Sequence, residues 1–216
     1  MIKLIYKMTF YILGIILVFY IGFKIGNTIY KTFFIKCLTA LSLEFLFYKF
    51  SFSFQFLLFF LLVYSLILVS VIDYFHRIIP TLVSIGLIIV GFIFSFLNEI
   101  LGEVYLVRYI NCLLGIFAGG STLFIIGFLG QLIYKKEVIG GGDINLMAGV
   151  GAFIGWERAL IAIFLAAVFG SIIGLILIAI KKIERKDYIP FGPFLSTASF
   201  ITIFLPQFPL LLNTFF

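Results

Sequence analysis

The sequence predicts an all-α, polytopic membrane helix bundle of about eight transmembrane segments, in a single domain over residues 1–216, and three observations predict it. Of the residues, 64% are hydrophobic and 11% are charged, where soluble domains carry about 25% charge. Apolar runs approaching the ~20 residues of a membrane-crossing helix recur along the chain, which favours helices over barrel strands. The charged residues collect in short links between those runs. The net charge of +6 is therefore explained by orientation in a membrane. It forms no block or stripe of the kind that binds nucleic acid.

The apolar segments lie near 8–23, 32–48, 54–72, 82–98, 109–133, 144–155, 159–180 and 194–214. Lys3 and Lys7 precede the first, and no small-residue cleavage site follows it, so an uncleaved helix is expected. The second carries Glu44 within an apolar run, suited either to function or to a helix–helix contact. The third ends at Asp73, and Pro80 stands before the fourth. Asn98 to Arg108 is a polar link, and Trp156, Glu157 and Arg158 suit an outer interfacial anchor. The sixth segment is too short to cross a bilayer comfortably. It is rich in small residues (Ala148, Gly149, Gly151, Ala152, Gly155), which allow close helix packing in lipid, so it is expected to lie buried among other helices. Gly170 and Gly174 suggest another close contact, or merely the general frequency of glycine in membrane helices.

With the N-terminus outside, the basic residues of the links near 24–36, 77, 135–136 and 181–186 fall inside. They outnumber those outside about two to one, as the positive-inside rule favours. Lys3 and Lys7 argue the other way. In this arrangement the links after Asp73, around Gly140–Asp143 and around Pro190–Pro193 all share the cytoplasmic side.

Those three links hold the candidate chemistry. Gly140, Gly141 and Gly142 give up side-chain packing immediately before Asp143, a carboxylate that is costly away from water. Glycines let another backbone lie close to the acid, as a site handling an extended peptide requires. Asp73 read alone suits an interfacial carboxylate paired with Arg77 or capping the next helix, and Asp143 read alone suits a capped turn. Brought together, two carboxylates share one proton. The ionised member can then activate water while the protonated one polarises a peptide carbonyl. Pro190, Phe191, Gly192 and Pro193 cannot continue a helix. They suit a rigid loop, or a wall of a peptide groove. The single histidine, His76, has no nucleophile partner, Cys37 and Cys112 are far apart in sequence, and no metal-ligand spacing occurs. The glycine run lacks phosphate-loop spacing. The rival from another class is a transporter whose paired aspartates bind a proton or cation, although matched interrupted helices in the two halves are absent.

Asp73 with Pro80, then Gly140-Gly141-Gly142-Asp143, Leu146, Gly151-Ala152 and Gly155, then Pro190-Phe191-Gly192-Pro193-Phe194: this order resembles the type IV prepilin peptidases, intramembrane aspartyl proteases of the G-x-G-D kind. The resemblance runs from about residue 60 to the C-terminus. It implies that Asp73 and Asp143 are the catalytic pair, with Gly140–Gly142 and Pro190–Pro193 beside the substrate. It implies prepilins or pseudopilins as partners, cut at the cytoplasmic face of the inner membrane. Relatives that cut preflagellins or other membrane peptides are the near alternative, and the Pro-Phe-Gly-Pro run differs from the P-A-L of signal peptide peptidases. Many family members carry paired C-x-x-C motifs after the first helix and methylate the new terminus with S-adenosylmethionine. Here Gly22 to Thr39 holds only Cys37, which resembles the short form, so no cofactor is expected unless methylation is retained. Asn145 stands where many members have lysine.

Overall fold

The computed structural model describes residues 33–51, 53–184, 187 and 189–205, with side chains from residue 37 onward. The segment near 8–23 lies outside them. Seven α-helices follow in order among the described residues: α1 (Phe33–Phe50), α2 (Phe54–His76), α3 (Thr81–Ile93), α4 (Tyr105–Tyr134), α5 (Gly141–Ile154), α6 (Trp156–Ala179) and α7 (Gly192–Phe204). Two short 3₁₀ turns, Ser95–Leu97 and Glu99–Leu101, fill the link after α3. The chain is a helical, multi-pass membrane protein. Among the described residues three helices, α2, α4 and α6, are long and apolar enough to cross a bilayer, while α3 and α7 are apolar but shorter. The sequence predicts eight apolar segments, of which the one near 8–23 lies outside the described residues and those at α3, α5 and α7 form helices shorter than a full crossing.

The chain divides into two compact units, Met1–Tyr64 and Ser65–Phe216. In the first, α1 and the start of α2 bury Leu46, Phe47, Phe59 and Leu62. Phe50 and Phe59 stack at 5.0 Å, and Phe47 meets Phe56 edge-on at 6.1 Å. Glu44 is half-buried, and with Leu41, Phe45 and Tyr48 it lines an apolar cavity of about 380 Å³.

The second unit is built around α5. Every residue from Leu146 to Ile154 is buried, as a helix apolar on all sides must be. Its small residues let two neighbours come close. Gly151 lies against the Gly115 backbone of α4, and Gly119 of α4 against the Met147 carbonyl, so a side chain at any of these three positions would collide with main chain. On another face, Gly149 packs against α3. A Cβ there would stand 2.9 Å from the Leu87 Cβ and 3.1 Å from the Ser84 carbonyl oxygen. The expected burial of this short helix is thus met.

α5 ends at Gly155, whose φ of +80° is strained for any residue with a Cβ, and α6 begins at the next residue. Asn98 Nδ2 donates to the Phe153 carbonyl at 2.7 Å, satisfying one of the carbonyls a helix end leaves unpaired. Asn111 Nδ2 donates to the Leu101 carbonyl at 2.6 Å. Arg158, expected as an outer interfacial anchor, is instead 6% exposed and donates from Nη2 to the Leu205 carbonyl at 3.3 Å. It ties the start of α6 to the end of α7, because that carbonyl needs a donor. Gly170 and Gly174 meet the side chains of Phe191, Phe194 and Ile189 rather than helix backbone.

Candidate active site

α2 ends one turn after Asp73. The Arg77 N–H donates to the Asp73 carbonyl at 2.8 Å, with Arg77 in the left-handed region at φ 57°. The chain then runs without regular structure through Ile78 and Ile79 to Pro80, whose φ of −64° and ψ of 114° lead into α3. Ile79 is the seat for Gly142: a Cβ on Gly142 would stand 2.7 Å from the Ile79 Cβ and 3.2 Å from its carbonyl oxygen. That contact brings the first turn of α5 against the end of α2.

Asp73 is 3% exposed and Asp143 5% exposed. Asp73 Oδ2 accepts the Gly192 N–H at 2.8 Å. Gly192 opens α7, with Pro193 in its first turn. The side chain of Asp73 thus caps a helix, though a distant one, and the positive end of α7 favours the negative charge. Glycine is required there, since a Cβ would sit 2.7 Å from Asp73 Oδ2 and 3.0 Å from its Cβ and Cγ. Asp143 occupies the first turn of α5, and its N–H donates to the Gly140 carbonyl at 3.1 Å. Its Oδ1 is buried without a partner. α5 is not among the helices long enough to span. Burial first, then the charge of Asp73, push the Asp143 carboxyl up to about 7, partly offset by Gly140. The two aspartates are therefore close enough for one to hold back the ionisation of the other.

The glycines divide by what surrounds them. Gly142 is filled against Ile79, whereas a Cβ on Gly141 would meet nothing within 4 Å and one on Gly140 only Asp143 Oδ2, at 3.4 Å. Gly140 and Gly141 are exposed. A cavity of about 200 Å³ opens beside them, with Phe124, Gly127, Val138, Ile139 and Ile144 in its walls. Pro190 and Phe191 are half-buried, and Phe191 lines a second cavity of about 320 Å³ with Gly170, Ile189 and Phe194. His76 is exposed. Among the described residues no three His, Cys, Asp or Glu side chains cluster.

The sequence reading singled out Asp73, Asp143 and Gly192, which the fold brings to one place. It missed Ile79, whose seat for Gly142 has no signature. It also missed Ser196, buried one turn beyond Gly192 on the same face of α7, which the helical spacing from Gly192 would have exposed.

A family model described as the type IV leader peptidase family matches residues 60–175. That span includes both aspartates. The "Prepilin leader peptidase/N-methyltransferase" of Pseudomonas aeruginosa is 29% identical over 169 residues, 78% of this chain and 56% of the relative. The protein of that name in Stutzerimonas stutzeri is 32% identical over 162 residues, 72% and 52% of the two chains. That of Legionella pneumophila is 31% identical over 172 residues, 79% and 58%. The chain spans about half the length of the curated relatives it matches. No solved structure matches it.

Proposed function

This chain belongs to the type IV leader peptidase family, and on that premise we propose that it is an intramembrane aspartic endopeptidase that removes the short basic leader from type IV prepilins or pseudopilins. The observation that carries the reading is the pair of buried carboxylates, Asp73 and Asp143, close enough to couple, with one oxygen of Asp143 unpartnered. Residues 1–216 act as one peptidase unit in the inner membrane, with the dyad at the cytoplasmic face, where the positive-inside count puts it. The apolar segments complete a bundle of about eight, α5 being the one kept inside the protein.

Asp143 holds the shared proton and Asp73 the charge. Asp73 takes a proton from water as its oxygen attacks the scissile carbonyl carbon, and Asp143 gives its proton to the carbonyl oxygen. When the resulting diol collapses, Asp143 takes back a proton from one diol hydroxyl as the C=O re-forms, the C–N bond breaks, and the proton on Asp73 passes to the leaving amine. Gly140–Gly142 and Pro190–Pro193 flank the substrate, and the open faces of Gly140 and Gly141 admit its backbone. No cofactor takes part, and the methylation in the relatives' names is not carried over. The test is to incubate the purified full chain with candidate prepilins and read the new amino termini by mass spectrometry. Intact substrates alongside proton- or cation-coupled uptake in vesicles would replace the peptidase with a transporter.

Two predictions belong here. Gly141→Ala should fold as well as the parent, since its Cβ meets nothing, yet lower kcat/KM by about 10-fold if the peptide passes over it. Gly142→Ala should instead cost about 1–3 kcal/mol of stability through Ile79. Thermal unfolding and cleavage rates of the two variants separate these effects. The second concerns pH. The Asp143 carboxyl, raised to about 7, keeps its proton below that value and loses it above. Cleavage should therefore fall as pH rises through about 7, and a kcat/KM profile flat up to pH ~9 would contradict this.

A further inference from the structure

Two buried polar atoms at this end of the second unit have no hydrogen-bond partner, Asp143 Oδ1 and Ser196 Oγ. Helix geometry sets them level with each other. α5 and α7 both begin at the dyad, since Gly192 donates to Asp73 and the charge of Asp73 acts on Asp143. Further in, Ser199 Oγ lies 3.8 Å from Met147 Sδ, which fixes one rung between the two helices. Back towards the dyad, Ser196 is three residues from Ser199, a rise of about 4.5 Å, and Asp143 is four from Met147, about 6 Å. Both steps stay on the facing stripe of their helix. Ser196 thus stands across from Asp143, one turn beneath the bond between Asp73 and Gly192, and is 6% exposed. The other partnerless atoms of this unit are elsewhere: Asn111 and Trp156 near Gly155, Ser84 on α3.

Buried polar groups in native proteins are almost always satisfied, so an orphan calls for an unplaced water or a ligand. Two orphans facing each other beside a coupled carboxyl call for the same one. We infer that Ser196 is a third polar group of the site, its hydroxyl and Asp143 Oδ1 holding between them the water consumed in peptide hydrolysis. The role rests on the peptidase reading above. Ser196 forms no covalent bond and exchanges no proton in the step. Its O–H donates to the water oxygen and leaves a lone pair of that oxygen aimed at the carbonyl carbon.

The resting structure makes this separable from a structural role. The hydroxyl has no protein partner, so Ser196→Ala removes no hydrogen bond between parts of the fold and should leave the unfolding temperature of the purified full chain unchanged. If the hydroxyl holds the water, the same substitution should lower kcat about 10-fold or more with KM unchanged, and Ser196→Thr, which keeps the O–H, should restore most of it. The assay uses a synthetic peptide with a basic leader ending in glycine before an apolar helix. The parent chain is measured first, so failure to cleave there counts against the peptidase reading alone. With an active parent, Ser196→Ala turning over at the parent rate would overturn the inference. So would loss of activity together with a lowered unfolding temperature, because the hydroxyl would then hold the fold.

Discussion

Asp73→Asn and Asp143→Asn are each expected to reduce prepilin cleavage by about 10³-fold or more while leaving the folded protein in the membrane. Acid–base catalysis by a positioned group contributes roughly 10²–10⁴, and in the proposed mechanism both groups work through one shared proton. The double substitution should therefore cost little more than either single one, as in other sites whose members act as a unit. The fold survives for a local reason. Asparagine at 73 still offers a carbonyl oxygen to the Gly192 N–H, now 2.8 Å from Oδ2. Asparagine at 143 removes an ionisable group from a buried place. Cleavage read by mass spectrometry beside a thermal melt decides the matter, and either variant cutting at the parent rate would remove that aspartate from the dyad.

Gly192→Ala is expected to have the next largest effect, a fall in kcat of about 100-fold, the scale of loss when a reacting group is misplaced by around 1 Å. The added Cβ would stand 2.7 Å from Asp73 Oδ2 and 3.0 Å from its Cβ and Cγ, so the carboxylate must move. The N–H that holds it survives the substitution, and Gly192 has no positive φ, so backbone strain plays no part. KM should change little, and the unfolding free energy should drop by about 1–3 kcal/mol. A variant that cleaves as fast as its parent would show that α7 does not set the position of Asp73.

Much of this site could be read in the residues. The glycines beside Asp143, the acid at the end of a long apolar run and the Pro-Phe-Gly-Pro segment are local irregularities in a hydrophobic chain, and irregularities are visible without a fold. What Gly192 does was hidden: its position at a helix start is local, but its partner lies 119 residues away. The equal-looking run Gly140–Gly142 separates into open and filled positions only once Ile79 is placed. Ser196 carried no signal by composition, since a serine in an apolar helix is ordinary. The number of crossings is not legible in hydropathy alone, which reports what avoids water, and α5 avoids it inside the protein.

The contact of α4 with α5 has a consequence for motion. Gly115, Gly119 and Gly151 put main chain on main chain, leaving no side chain at these three points that could change rotamer and let the helices slip. The two helices form a single stiff strut, and Asp143 is mounted on it. Interiors packed in this way shift between discrete arrangements rather than deform smoothly. On the proposed function, adjustment to an arriving polypeptide would come from the side that bears Asp73 and α7, joined by the hydrogen bond from the Gly192 N–H to the Asp73 carboxylate, with Asp143 as the stationary reference.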